Sequence, residues 1–546
     1  MTSRSLGHRA PLLWLVLPFI GGLSTGKVFT LPPVGWLLGA AAVAAALGLV
    51  AGWRGWRAWA PAIVIAMALA GAASYALHRV RLPAWDALPP REARLSLKVE
   101  RVFASSDDRR ASGLATVIRA GDHLRELAGQ RLYFSLTLRK GEAPPIRSAT
   151  LSTVGVLVTL PRNPPADTFD GYLAGAGMNF KLTRGRVIAE EQPANAYYQF
   201  CARAAARLNE ILGLGIAEKR PALAGLLRAM MLGQTHELST EQHLLFMQSG
   251  TMHLFAISGL NIGVIAAALQ ALLLLLRLPG WPRFIIGAAL LWLFVDITGA
   301  SPSAVRAFVM AVFLQAAFVL RQPGNALAAL VASAFVILLV SPLQVFSASF
   351  LMSYGIVTAL LILGLPLSDA WLERWTPWAA LPKPTWHWWH HASEWVWRTL
   401  ATALAIGVAT TLVSLITGVQ FFQLLTPGAL AANLILIPAA MAATLGGFAS
   451  LLCGLVGFSA GAVLCNHAAA LVLWGIEGLV RASVQVPGVF VAAKFSSAWI
   501  GTAVLIALVA LLLAGYAARW QGRYWWWPPF AIVALTLIFG VNYGAS

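Results

Sequence analysis

The sequence predicts a polytopic α-helical membrane protein of about 11–13 apolar segments with a small, β-rich, OB-like extracytoplasmic domain. Three observations predict it. Hydrophobic residues make up 59% of 546 and charged residues only 11%, far from a soluble average. Apolar runs long enough to cross a bilayer follow one another along most of the chain. Between the third and fourth runs, charge returns and apolar residues alternate at period two.

Residues 1–82 hold three spans, near 11–29, 34–52 and 59–78. Arg4, His8 and Arg9 before an apolar run resemble a signal peptide, but no small-x-small site stands near Ser24 and two spans follow. The run reads as a retained first span. Arg54 and Arg57 outnumber Lys27, so the positive-inside rule places the N-terminus in the cytoplasm and residues 83–192 outside.

In residues 83–192, Leu95, Leu97 and Val99 alternate with polar neighbours, as do Leu132, Phe134 and Leu136, then Val154, Val156 and Val158. With 114–119 and 180–188 this gives about five strands, the size of an OB-like barrel. Such barrels bind single-stranded nucleic acid on basic, aromatic faces. Arg101, Arg119, Arg131, Tyr133 and Arg139 are the candidates here, with Lys140 beside them. Glu100, Asp107, Asp108, Asp122 and Glu126 mix the field, so an ordinary solvated surface stands as the alternative.

Residues 193–250 read as interfacial, amphipathic helices: Arg203, Arg207 and Glu210 interleave with Leu208, Ile211 and Leu212. Residues 251–546 are the membrane core. It is interrupted at 367–397, where eight tryptophans among charges and prolines mark an interfacial segment. His387, His390 and His391 there read as interfacial packing rather than a metal site. Cys201, Cys453 and Cys465 fit no metal or redox spacing, and no cofactor is implied. The chain contains no GxxxxGK[ST] or HExxH, and no GxSxG elbow at a strand–helix turn, so it reads as a non-enzyme.

The core opens unusually. From Gly250 to Gly263, Ser258-Gly259 breaks the helix, and His253 and Asn261 bring polar groups to membrane depth. Irregular backbone is tolerated there only inside protein or beside a water-filled path. Asp296, Arg306, Glu477 and Arg481 are ionisable within the core, each costing about 2.5–3.5 kcal/mol on insertion scales. Glu477 and Arg481 pair at i, i+4. Arg306 follows the Ser301-Pro302-Ser303 break, where free helix N–H groups suit an anion; a buried Asp296–Arg306 pair is the alternative. Thr410, Ser414 and Thr417 form one polar stripe, Ser349 and Ser353 another, and Asn433 with Pro438 marks a kinked helix. Helix-packing hydroxyls are the plainer reading of these stripes. The net charge of +18 points to an anionic partner or to the usual cytoplasmic excess of Lys and Arg.

These residues resemble a known family. His253-Leu254-Phe255-Ala256-Ile257-Ser258-Gly259-Leu260, then Ser303 with Arg306-Ala307, then Ser349 with Ser353, then Asn433 with Pro438, are similar in order to the competence domain of ComEC. Phe169-Asp170-Gly171-Tyr172-Leu173 resembles the end of that family's OB-like domain. The resemblance implies a bacterial inner-membrane channel importing single-stranded DNA in natural transformation. The hypothesised DNA path comprises His253, Ser258, Gly259, Asn261, Ser303, Arg306, Ser349, Ser353 and Asn433, with Thr410, Ser414 and Thr417 added from the polar stripe. Implied partners are single-stranded DNA, membrane lipid, other competence proteins and a separately encoded nuclease. Asn261 stands where family members commonly carry His, and an amide does not titrate. No H-x-H-x-D-H of the family's nuclease-like domain occurs before Ser546. Two rivals remain: an ion-coupled small-solute transporter using Asp296 and Glu477, and a degenerate, non-transporting competence-related protein.

Overall fold

The computed structural model of the chain describes residues 10–79, 89–105, 107, 109–139, 141–322, 324–520 and 526–544. Arg4, His8, Arg9, Pro83, Asp108 and Lys140 lie outside these. Three apolar helices come first: α1 (Leu13–Val28), α2 (Val34–Trp53) and α3 (Trp59–His78). They pack as a hairpin series through small residues. A Cβ on Gly22 would lie 1.8 Å from Ala68 O, so the α1 and α3 backbones approach as only glycine permits.

Five strands follow: β1 (Arg91–Phe103), β2 (Arg110–Ala120), β3 (Arg131–Thr137), β4 (Thr150–Thr159) and, after the short α4 (Phe169–Gly175), β5 (Phe180–Gln192). They close a barrel in the order β1-β2-β3-β5-β4, with β4 returning to β1. Only the β3–β5 pair among them is parallel. The period-two residues explain the closure: Leu95, Leu97, Leu132, Phe134, Leu136 and Leu182 point inward and are fully buried together.

The helical core begins with α5 (Ala196–Gly213), α6 (Pro221–Leu232), α7 (Thr240–Gln248) and α8 (Met252–Phe255). It continues with α9 (Gly259–Leu275), α10 (Gly280–Ile297), α11 (Pro302–Val319), α12 (Ala326–Val340), α13 (Ala348–Ala359) and α14 (Leu365–Arg374). A π-helical turn, Leu360–Gly364, joins the last two. After them come α15 (Trp388–Phe422), α16 (Ala429–Leu455), α17 (Ser459–Val484), α18 (Ile500–Ala517) and α19 (Trp527–Phe539). Among the described residues nine helical stretches are long and apolar enough to span a bilayer, and the chain is a multi-pass membrane protein.

Two expectations need correction. α5 is amphipathic as anticipated, but α6 is not interfacial: its Leu223, Leu226, Leu227 and Met230 are buried in the core. A helix apolar on all but the Arg228 side is driven inside, with Arg228 satisfied by Glu237. The Trp-rich interfacial segment, 367–397, is likewise partly helical and continuous with the spans, since α14 enters it from one side and α15 from the other. At about 1.5 Å per residue, a helix as long as α15 outruns a ~30 Å hydrocarbon layer, so its Trp-bearing first turns reach the headgroup level. His390 is buried there against Trp378 and Trp389, and its Nδ1 accepts from the His387 N–H at 3.0 Å.

Candidate functional site

Five helices of the core form a ring: α9 packs on α11, α11 on α13, α13 on α15, α15 on α16, and α16 returns to α9. Their ends converge on the side nearest the barrel. Side-chain hydroxyls and amides cap these ends, because helix termini inside hydrocarbon cannot leave N–H groups unpaired. Ser258 caps α9 through Asn261 N, Ser301 caps α11 through Ala304 N with Pro302 next, and Ser347 caps α13 through Phe350 N.

The break between α8 and α9 frees carbonyls that need donors. Asn261 Nδ2 donates to Met230 O at 3.1 Å and Ala256 O at 3.4 Å, and Ser303 Oγ donates to Ile257 O at 3.0 Å. Asn261 is therefore buried in the wall and does not line an opening. The amide suits this position for a structural reason: its two N–H groups satisfy two carbonyls at once. Ser303 straps α11 to the break.

Helix geometry fixes which faces point to the middle of the ring. On α15, a Cβ at Gly407 would lie 2.7 Å from Leu430 of α16, and Val413 lies 3.0 Å from the Cβ position of Gly355 on α13. Thr410 falls between these contacts, about 60° round the helix from each, with Ser414 beside it. The opposite face is buried: Ala409, Leu412 and Ile416 lie in the outer core, and Ala405 is fully buried on the same side. Asn433 falls similarly between Leu430 and Ala429, which packs near Gly250. Ser349 and His253 are exposed at the same level, and Ser353, Ser414, Thr410 and Asn433 are half-buried. At Gly263 a Cβ would meet nothing within 4 Å, and the nearest atom to one at Gly259 is Ala307 Cβ at 3.8 Å. Thr417 is the exception: it is buried and bonds back to Val413 O, so it leaves the lining. Thr410 also back-bonds to Ile406 O, which spends its hydrogen on its own helix but leaves oxygen lone pairs free.

The charged residues part company with the sequence reading. Asp296 does not pair with Arg306. Its two oxygens are taken by Arg147 of the barrel, at 2.9 Å, and by the Tyr197 hydroxyl, at 2.8 Å. Desolvation and the adjacent Asp296 carboxylate push the Tyr197 phenol well above its usual range, so it serves as a steady donor. Arg306 instead reaches from α11 to α13, donating to Ser349 O at 2.8 Å, Ser349 Oγ at 2.6 Å and Gln344 Oε1 at 3.4 Å. It is 3% exposed, its Nε finds no acceptor, and no carboxylate pairs with it among the described residues. Glu477 and Arg481 do pair, at 3.4 Å, and Glu241 of α7 binds the same guanidinium at 2.8 Å. Both carboxylates that an ion-coupled transporter would use are thus engaged.

The basic face expected on the barrel is not one face. Arg131 is held by Glu100 at 2.6 Å, and Tyr133 is packed edge-on against Phe169 at 5.2 Å, so neither is free to meet a nucleotide. Arg119 stays exposed with Glu191 3.9 Å away, and Arg139 is exposed on a turn. Arg101 lies beside the Phe103 ring, its guanidinium 5.5 Å from the ring centroid. Sequence reasoning missed Arg147, Tyr197 and Gln344. Only Gln344 had a local signal, a lone amide between two apolar helices. A separate cavity of about 340 Å³ between α6 and α7 has the Arg228–Glu237 ion pair in its wall and lies away from the ring.

A family profile described as "Competence protein" matches residues 230–519, more than half of the chain. ComE operon protein 3 of Bacillus subtilis (strain 168) is 29% identical over 142 residues, covering 26% of this chain and 18% of that relative's length. No solved structure matches.

Proposed function

The chain belongs to the competence protein family, the ComEC family, and from that premise we propose that it is an inner-membrane channel importing single-stranded DNA during natural transformation. The observation that carries this reading is Arg306: a buried cation at the ring mouth, held by neutral oxygens, with no carboxylate partner among the described residues. Such a charge is costly unless something negative arrives to meet it. A phosphate backbone supplies that charge one residue at a time. Arg306 acts through Ser349, whose oxygen accepts the guanidinium N–H while its own hydroxyl hydrogen is left to donate into the opening.

In this proposal the barrel lies outside and the N-terminus in the cytoplasm. Its five-stranded closed order supports an OB-like module that presents the strand to the ring. The strand then meets His253, Ser349, Thr410, Ser414 and Asn433.

Two measurements test this. Cells lacking the chain are expected to lose nuclease-protected uptake of labelled DNA and to regain it on complementation; uptake unchanged by the deletion overturns the proposal. In a cysteine-free background, a membrane-impermeant thiol reagent applied outside should label Gly121→Cys, Ser349→Cys and Asn433→Cys but spare Leu412→Cys, on the outer face of α15. Labelling of Leu412→Cys with protection of Ser349→Cys reverses the inward faces, and protection of Gly121→Cys reverses the orientation.

A further inference from the structure

The barrel carries an aromatic cluster that its own folding does not require to be exposed. Phe169 and Tyr172, both on α4, are 51% and 37% exposed. Their rings lie nearly parallel, at 19°, with centroids 6.0 Å apart, which makes one flat, offset surface. Tyr133 and Phe103 back this surface from the barrel side, at 5.2 Å from Phe169 and 6.2 Å from Tyr172 respectively. The rings cannot easily turn away.

Several contacts pin α4 in place. Thr168 caps it through Gly171 N, and Lys181 Nζ bonds both Asp170 oxygens at 2.9 and 3.0 Å. At Gly171 a Cβ would lie 2.2 Å from Pro165 O, so the helix rests directly on the preceding loop. Its position is over the ring. The C-terminal residue Gly175 lies against Ser347, the cap of α13, where a Cβ would be 3.5 Å from Ser347 Cβ. Just ahead of α4, Asp167 Oδ2 accepts from Gln423 Nε2 at the end of α15, at 2.6 Å. The platform therefore bridges the ends of two neighbouring ring helices at the mouth.

The charge around it is suited to a polyanion. Lys181 neutralises Asp170 and Arg131 neutralises Glu100, while Arg101 lies beside Tyr172 and Phe103 without a carboxylate partner among the described residues. We propose that Phe169 and Tyr172 form a base-stacking threshold for single-stranded DNA at the channel entrance, with Arg101 contacting the backbone phosphate next to them. This rests on the DNA-channel reading above and adds a site to it. Stacking suits a conduit that must accept any sequence, because every base offers a π face. Single-stranded DNA is the occupant rather than lipid because the helix that carries the rings is tied, at Gly175 and just ahead of it at Asp167, to the ends of two ring helices.

The test uses the full chain in phosphatidylcholine nanodiscs, with fluorescent oligothymidylate and an abasic oligonucleotide of equal length. Wild type should prefer the base-bearing strand by roughly ten-fold or more. Phe169→Ala with Tyr172→Ala should erase that preference without changing the slope of affinity against salt, and Phe169→Trp should keep it. Arg101→Gln should do the reverse: the preference stays and the salt slope falls by about one. Thermal unfolding of each variant identifies any that misfold, and Phe169→Trp then stands as the folded comparison. Retention of the base preference by the double-alanine variant overturns the threshold while leaving the channel reading intact. Wild type that binds neither oligonucleotide overturns both. Unchanged DNA binding with weakened insertion of the double-alanine variant makes the rings lipid anchors and likewise overturns the threshold.

Discussion

Arg306→Gln is expected to cut DNA uptake by about 10- to 100-fold while the protein accumulates in the membrane at wild-type level. The magnitude follows from losing one charged hydrogen-bonding group, about 1.5–3 kcal/mol, where the strand must pass. Stability should not fall, because the buried guanidinium has no carboxylate partner among the described residues and its removal strands no anion there. Arg306→Lys should not rescue, since an ammonium cannot fork between Ser349 and Gln344. Ser349→Ala should share the defect, because the hydroxyl relays the charge to the opening. Adding Asp296→Asn to Arg306→Gln should restore nothing, as the two residues do not touch. Membrane abundance and transformation frequency, measured together, decide the matter; full uptake by a well-expressed Arg306→Gln would remove Arg306 from the path.

The second large effect concerns the joint between barrel and core. Asp296 has 2% of its side chain exposed, and Arg147 reaches it from the barrel with 35% exposed. Arg147→Gln leaves a buried carboxylate with only Tyr197 for a partner. Breaking a buried pair costs about 3–5 kcal/mol; the partial exposure of Arg147 places this case near ~3 kcal/mol. Tyr197→Phe should cost less, about 1 kcal/mol, as one hydrogen bond is lost. The Arg147→Gln, Asp296→Asn double variant should be more stable than Arg147→Gln alone, since the orphaned charge is gone. Thermal unfolding in detergent reads all three, and purely additive effects would show that the joint is not a coupled pair. Arg147 also lies 4.6 Å from the Tyr198 ring, so its loss should loosen α5 together with the barrel.

Chain composition and periodicity determined much of this protein. The three early helices, five strands and successive spans follow from local runs of apolar residues, whose period is set by the backbone alone. Motif residues such as Ser258, Ser303 and Arg306 stood out because polar groups are expensive at membrane depth. What each polar residue does was decided only by tertiary structure. Asn261 looked like pore lining and proved to be a donor to the carbonyls of a broken helix. Thr417 shares the spacing of Thr410 and Ser414, yet it lies where the wall closes over it. Asp296 found its partner in Arg147, 149 residues away, and left Arg306 without a counter-charge among the described residues. No local period encodes such a choice. It depends on which backbones approach within a few ångströms after the barrel has closed and the helices have packed into a ring.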